Sequence, residues 1–372
     1  MQFTVEKSKI VHAIGQAARV VERRNTIPIL SNVLLIADGD SLRMKTTDLD
    51  MEFSISIPAN VSVGGQTTVS ALLLNDIVKK LGGTEINFEL DKKQENYMSV
   101  GSGRSKFNLY CLPAIDMPDI TVGNFSNEFE IKSADLKKLI DRTQFAISTE
   151  ETRYYLNGIF LHVATNERGE DKLRAVTTDG HRLALCDTTM PDGAHGMPGV
   201  IIPRKTVGEF NNLLALGENA KLEVSDSKIR LTIGVMVLTS KLIDGTFPDY
   251  QRVIPTGGNK VAIFDTKLVS AASDRVSVVS SERGRAVKLT FADNQMRLEV
   301  NNPDSGRAED CVDIQFDADE MDVGFNNRYL QDILGNITSK SARMTMSDAG
   351  SPTIFTDEEG DDTLYVLMPM RV

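Results

Sequence analysis

The sequence predicts an α+β protein made of three tandem copies of one pattern, each with helices on one face of antiparallel sheet. Three observations predict it. A short strand running into a helix recurs three times along the chain. A second helix in each copy carries apolar residues in one shared register. Short alternating runs bounded by turn residues fill the remainder.

The first copy opens with Phe3, Thr4 and Val5 leading into a helix at Ser8 and Ile10. Phe129, Ile131, Ser133 and Leu136 repeat it, and Ala262, Phe264, Asp265 and Leu268 give a weaker third version. Ser8 and Ser133 read as N-caps, with Asp265 or Thr266 serving the third helix. The second helices are expected over 74–81, 207–214 and 330–337. Their apolar positions coincide at i, i+3 and i+7: Leu74, Ile77 and Leu81; Val207, Phe210 and Leu214; Leu330, Ile333 and Ile337. Strands are expected over 31–36, 41–45 and 52–57, and over 221–224, 228–233 and 235–240. Turn signals separate them, including Gly64-Gly65, Gly82-Gly83, Asp192-Gly193 and Gly257-Gly258. Joints fall near 121–127 and 250–259, each after a Pro-Asp pair, Pro118-Asp119 and Pro248-Asp249. The expected domains are 1–121, 128–250 and 251–372.

Composition narrows the class. Hydrophobic content of 41% and charged content of 25% over 372 residues describe a soluble globular chain with room for two to four domains. No apolar run reaches membrane-spanning length, and the first residues lack a basic segment followed by an apolar core. Cys111, Cys186 and Cys311 are odd in number and far apart. They fit a reducing cytoplasm better than a disulfide framework.

A net charge of −11 argues against nucleic acid only if the charge is spread evenly. It is not. The first helices of copies one and two offer Lys7, Lys9, His12, Arg19, Lys132, Lys137, Lys138 and Arg142, with Arg23 and Arg24 just beyond. Arg204, Lys205 and Arg328 stand at the entries to second helices, whereas Asp317, Asp319 and Glu320, and the run 357–362, are acidic. Lysines on one helix face are ordinarily just solvated. Recurrence on equivalent helices points to a surface that touches phosphates without reading bases. No aromatic platform is interleaved, against a single-strand binder.

A catalytic set is hard to assemble. Asp179 and His181, in the run Thr177, Thr178, Asp179, Gly180, His181, Arg182 and Leu183, are the best acid–base candidates. Asp179-Gly180 reads more simply as a turn with His181 and Arg182 on the surface beside it. The four histidines make no i, i+4 pair, and no HExxH or CxxC set occurs, so neither a metal nor a cofactor is expected. Gly101 to Ser105 reads as a hairpin turn, since strand continues at Phe107 and no phosphate-binding loop follows. The chain end is unusual. Tyr365, Val366 and Leu367 read as a last strand, and Pro369 lacks the N–H needed to extend the ladder. Met368 and Met370 then lie on the surface. The end is either a strand tucked into a core or a surface that receives other proteins, for which flexible methionine is suited.

Together these residues resemble the beta subunit of the bacterial replicative DNA polymerase, the sliding-clamp family. The resemblance is carried by Thr26, Ile27, Pro28, Ile29 and Leu30; by Ser102 to Phe107; by Arg153, Tyr154, Tyr155, Leu156, Asn157 and Gly158; by Thr178 to Leu183; by Phe247, Pro248, Asp249 and Tyr250; and by Met368, Pro369, Met370 and Arg371. It spans the chain in order. It implies a DNA-clamp fold, a head-to-tail homodimeric ring around duplex DNA, and a non-enzymatic role as a cytoplasmic processivity factor in DNA replication. A basic inside and acidic outside would then resolve the charge puzzle. The resemblance implies a peptide-binding groove of Leu156, Thr178, Gly180, His181, Arg182, Leu183, Pro248, Arg252, Val253, Val366, Met368, Pro369, Met370 and Arg371. Polymerase subunits, the clamp loader and repair proteins would dock short linear peptides there. Arg24 matches a DNA-contacting loop and joins Lys9, Lys137, Lys138, Arg142, Arg204 and Lys205 in the DNA set. Glu150, whose carboxylate would repel phosphate, is left out of it. Phe107 and Leu109 should meet Val278 and Val279 of the other subunit. The alternatives are a hydrolase or transferase using Asp179 and His181, and a scaffold that never touches DNA.

Overall fold

Six α-helices among the described residues alternate with strands in the order the periodicity predicts. They are α1 (Lys7–Val20), α2 (Ala71–Lys80), α3 (Ser133–Thr143), α4 (Arg204–Leu214), α5 (Thr266–Ser277) and α6 (Asn327–Asn336). The computed structural model describes residues 1–22, 26–90, 96–120, 123–166, 168–280, 286–360 and 362–371. All nine i, i+3, i+7 positions of the second helices are buried. That one-sided burial supplies most of a short helix's stability.

The helix starts differ from expectation in two cases. Ser8 lies inside α1, where its hydroxyl donates to the Glu6 carboxylate, and Glu6 holds the cap position without a side-chain cap bond. Ser133 is the first residue of α3, and its buried hydroxyl has no hydrogen-bond partner. Both serines sit one or two residues too far into the helix to reach its free N–H groups. In the third copy Asp265 is the cap, accepting from the N–H of Lys267 and Leu268, and Asn326 does the same for α6.

The chain packs as two compact units. One comprises residues 1–134, 191–198 and 208–242; the other comprises 135–190, 199–207 and 243–372. The middle copy is therefore shared between them. In the first unit a thirteen-stranded antiparallel sheet runs continuously from copy one into copy two, because Met51–Pro58 pairs with Met236–Lys241. In the second, a nine-stranded sheet crosses from copy two to copy three, where Arg182–Thr189 pairs with Thr363–Leu367. A four-stranded sheet ends that unit, with Gly306–Asp313 at its edge. Helices α5 and α6 cover its apolar side around Val269, Val276, Leu330 and Ile333. The Ser102–Ser105 hairpin turns at Gly103, whose φ of 59° is the left-handed conformation glycine tolerates.

Candidate functional site

The carboxyl-terminal strand brings the site together. Leu183 stands opposite Val366 and Arg182 opposite Leu367 across the Arg182–Thr189 ladder. Leu183 and Val366 join Leu156, Val176, Phe247 and Tyr250 in one buried cluster. Each of these side chains contributes about 1.5–3 kcal/mol by leaving water, so this cluster is part of the fold. Thr178, Gly180, His181, Pro248, Arg252, Val253, Met368, Pro369, Met370 and Arg371 stand exposed or half-buried around it.

The turn before Arg182 is tightly built. Asp179 Oδ1 accepts from the N–H of His181 and of Arg182, each at 3.0 Å, and Thr178 Oγ1 donates to the Arg182 carbonyl at 2.7 Å. Gly180 has φ of 87°, and a Cβ there would meet Arg153 Nη1 at 2.8 Å. Glycine adopts this left-handed backbone without the strain a side chain would bring. Asp179 is thus committed to the turn and to Arg182 Nε at 3.0 Å, while the His181 ring stacks on Tyr329 at 6.0 Å. Among the described residues no hydrogen bond joins the Asp179 carboxylate to the His181 ring.

Arg182 is not a surface residue. It is 8% exposed. Its guanidinium lies 4.4 Å from the Tyr329 ring centroid and 5.1 Å from that of Phe145. It donates to Asp179, to Asp332 at 2.5 Å and to the Phe145 carbonyl at 2.8 Å. The planar fork satisfies three acceptors between two rings, as arginine can and lysine cannot. Arg182 therefore ties the start of its strand to Phe145, Tyr329 and Asp332. Phe145, Tyr329 and Asp332 are not among the residues the sequence singles out, because they come from helical stretches whose periodicity signals only packing.

The segment carrying Pro248, Arg252 and Val253 is pinned through Tyr250. The Tyr250 hydroxyl accepts from Arg174 Nη1 at 3.2 Å and lies 3.1 Å from His162 Nε2. Arg174 also holds Asp187 through two bonds of 2.6 and 2.7 Å. Burial keeps the His162 imidazole below the ordinary histidine value, and the Arg174 charge acts in the same direction. A neutral ring fits: Nδ1 faces the Val163 carbonyl at 2.9 Å, which leaves Nε2 to accept from Tyr250.

Pro369 ends the ladder, as its missing N–H requires. The N–H of Met368 still donates to the His181 carbonyl at 2.9 Å, and the N–H of Met370 is caught by the Gly324 carbonyl at 2.7 Å. The side chains of Met368 and Met370 remain exposed although the backbone is tied on both sides of Pro369.

The expected DNA and subunit contacts are placed as follows. Arg24 lies outside the described residues. Lys9 pairs with Glu6 at 3.4 Å, Lys137 with Asp141 at 2.8 Å and Lys138 with Asp362 at 2.7 Å. Arg142 donates to Thr338 Oγ1, and Arg204 and Lys205 are exposed at the start of α4. Lys7 is spent on the Leu81 carbonyl, and Glu150 pairs with Arg153 at 3.2 Å. Phe107 is 40% and Val278 82% exposed, whereas Leu109 is 4% exposed and belongs to the core of its own chain. Val279 is half-buried against the third copy's core. Among the described residues no three His, Cys, Asp or Glu side chains gather as a metal site, and no helix is long and apolar enough to cross a membrane.

Tandem α+β segments sharing continuous sheets, with a buried apolar cluster beside the last strand, define a three-domain clamp architecture. Models of the DNA polymerase III beta subunit match in order: the N-terminal domain at residues 1–121, the central domain at 130–249 and the C-terminal domain at 251–371. The beta sliding clamp of Caulobacter vibrioides is 46% identical, and that of Escherichia coli K12 37% identical, each over the full length of both chains. A Bartonella birtlesii sliding clamp solved bound to griselimycin superposes with a TM-score of 0.95 at 49% identity, covering both chains fully. The chain belongs to the DNA polymerase III beta-subunit family, the sliding clamps.

Proposed function

We propose that two copies of this chain close head to tail into a ring around duplex DNA. The ring tethers the replicative polymerase, the clamp loader and repair proteins through short apolar peptides, and performs no chemical step itself. The observation that carries this reading is the groove: an apolar floor shared by the Arg182–Thr189 and Thr363–Leu367 strands, rimmed by exposed Met368 and Met370. A groove of this form suits inserted apolar side chains. Bartonella birtlesii and Pseudomonas aeruginosa clamps were solved bound to griselimycin, and we assign griselimycin to this groove in the present chain.

Two sheet edges support the subunit contact. Ser105–Leu112 pairs along Tyr97–Ser102 but meets Gly65–Ser70 only at Leu112 and Cys111. Gly306–Asp313 pairs only with Gln295–Asn302 among the described residues. Open edges invite another chain, and a heterologous pair of them closes when the rotation allows. Phe107 on one copy and Val278 on the other supply exposed apolar surface. The domains of the ring are 1–121, 128–250 and 251–372. DNA contact falls to Lys9, Arg24, Lys137, Lys138, Arg142, Arg204 and Lys205, which neutralise phosphates without reading sequence.

The test is retention. Protein loaded on nicked circular DNA should stay through a salt wash and be lost once the circle is linearised. Equal retention on both forms would contradict the ring.

A further inference from the structure

The hydrogen bonds that build the turn under the groove occur twice in the chain. Thr47 Oγ1 donates to the Met51 carbonyl at 2.7 Å, as Thr178 Oγ1 does to Arg182. Asp48 Oδ1 accepts from the N–H of Asp50 at 2.9 Å and of Met51 at 2.6 Å, as Asp179 does from His181 and Arg182. Leu49 holds φ of 79° where Gly180 holds 87°. The N–H of Lys241 donates to the Asp50 carbonyl at 2.9 Å, as that of Met368 does to His181 at 2.9 Å. Glu52 stands opposite Thr239, as Leu183 stands opposite Val366. The first unit therefore holds its own copy of the groove backbone.

The side chains differ in kind. Lys45, Glu52, Thr239 and Lys241 occupy the positions of Val176, Leu183, Val366 and Met368. Glu52 is 4% exposed, and its carboxylate lies 2.8 Å from Lys45 Nζ. Lys45 also reaches Asp119 at 3.4 Å, and the Ile120 N–H donates to Glu52 Oε2 at 3.3 Å. Asp119 and Ile120 follow Pro118 as Asp249 and Tyr250 follow Pro248. The joint segment is thus laid across an ion pair whose carboxylate is buried. An apolar side chain entering here would displace Ile120 and strip a partner from Glu52, and an unpaired buried charge is strongly unfavourable.

We infer that the Lys45–Glu52 pair, with Asp119 and Ile120 laid over it, seals the amino-terminal copy of the groove against apolar peptide. Each chain then offers one docking site where its repeats provide two frameworks. This rests on reading the carboxyl-terminal groove as a peptide site.

The test counts griselimycin bound per chain, by native mass spectrometry, in the wild type, in a form lacking residues 368–372, and in a graft. The graft carries Lys45→Val, Glu52→Leu, Thr239→Val and Lys241→Met. One, none and two bound molecules are expected. Equal binding by the wild type and the tail-deleted form would overturn the docking reading. A folded graft that still binds one, while the tail-deleted form binds none, would overturn the seal. If the graft does not fold, hydrogen exchange decides. The Ile120 amide should be protected in the wild type, and Glu52→Gln should speed its exchange about tenfold or more. Exchange at the open-chain rate in the wild type, or no response to Glu52→Gln, overturns the seal.

Discussion

The N–H of Met368 donates to the carbonyl of His181 at 2.9 Å, one step beyond the Arg182–Leu367 pair. That bond continues the sheet long enough to fix where the Met368 side chain emerges, beside the turn that presents His181. Pro369 then ends the ladder, and Met370 is held separately by Gly324. The tail is therefore a positioned rim of the groove, although its methionines stay exposed.

Arg182 and His181 are adjacent and should respond differently to substitution. Arg182→Met keeps the stem but strands Asp179, Asp332 and the Phe145 carbonyl, so it should cost about 3 kcal/mol of unfolding free energy. His181→Ala should stay within about 0.5 kcal/mol of wild type while weakening griselimycin binding. Denaturant midpoints and calorimetric titration check the pair. Loss of stability in His181→Ala, with Arg182→Met unaffected, would reverse the assigned roles.

Acid should loosen the Tyr250 segment. Unfolded histidine takes its proton near pH 6.5. Burial holds folded His162 below that value. Between the two values the unfolded chain binds more protons, so stability falls as pH drops through this window and recovers above it. Arg174, Asp187 and Tyr250 face the ring, and a protonated Nε2 could no longer accept from Tyr250. Melting temperatures and griselimycin affinity should decline together from about pH 7 to about pH 5.5, and His162→Gln should flatten that part of both profiles. Parallel profiles in wild type and His162→Gln would refute the role of His162.

The basic helix α3 is met by counter-charges, from Asp141 on the helix and from Asp362 just before the last strand. Lys138 is held by Asp362 at 2.7 Å, and under the proposed DNA contact a phosphate would compete with that carboxylate. Asp362→Asn should strengthen DNA binding and steepen its salt dependence by about one ion. Replacing Arg24, Lys137 and Lys138 by Ala should weaken loading and flatten the slope, leaving the dimer intact. Unchanged slopes in both variants would place DNA elsewhere.

Two of the expected interface residues separate association from folding. Val278→Asp alters a side chain that is almost wholly exposed, so it should yield a folded monomer by light scattering. Leu109→Ala empties a buried site and should cost about 2–4 kcal/mol of stability. A stable dimer in Val278→Asp would remove Val278 from the interface.

The repeats and the second helices are legible in the sequence because apolar spacing records burial, whereas the groove residues enter only through the family resemblance. Leu74, Val207 and Leu330 each stand fourth in their helices, in one register, and all three are buried. Arg182 reads as a surface residue because a charged side chain beside a turn ordinarily faces water, and its sandwich of Phe145 and Tyr329 is assembled only in space. Ser8 and Ser133 do not cap their helices because a serine near a helix start says little about the residue at which the helix begins. Tyr250 belongs to a motif visible in the sequence, yet its link to His162 joins residues 88 apart, and local pattern carries no trace of it.

The most direct measurement compares the full chain with a form lacking residues 368–372, by calorimetric titration with griselimycin and by light scattering on the same samples. The deleted form should remain a dimer and lose binding, because half of the groove rim is gone while the Thr363–Leu367 strand stays. Full affinity in the deleted dimer would contradict the groove.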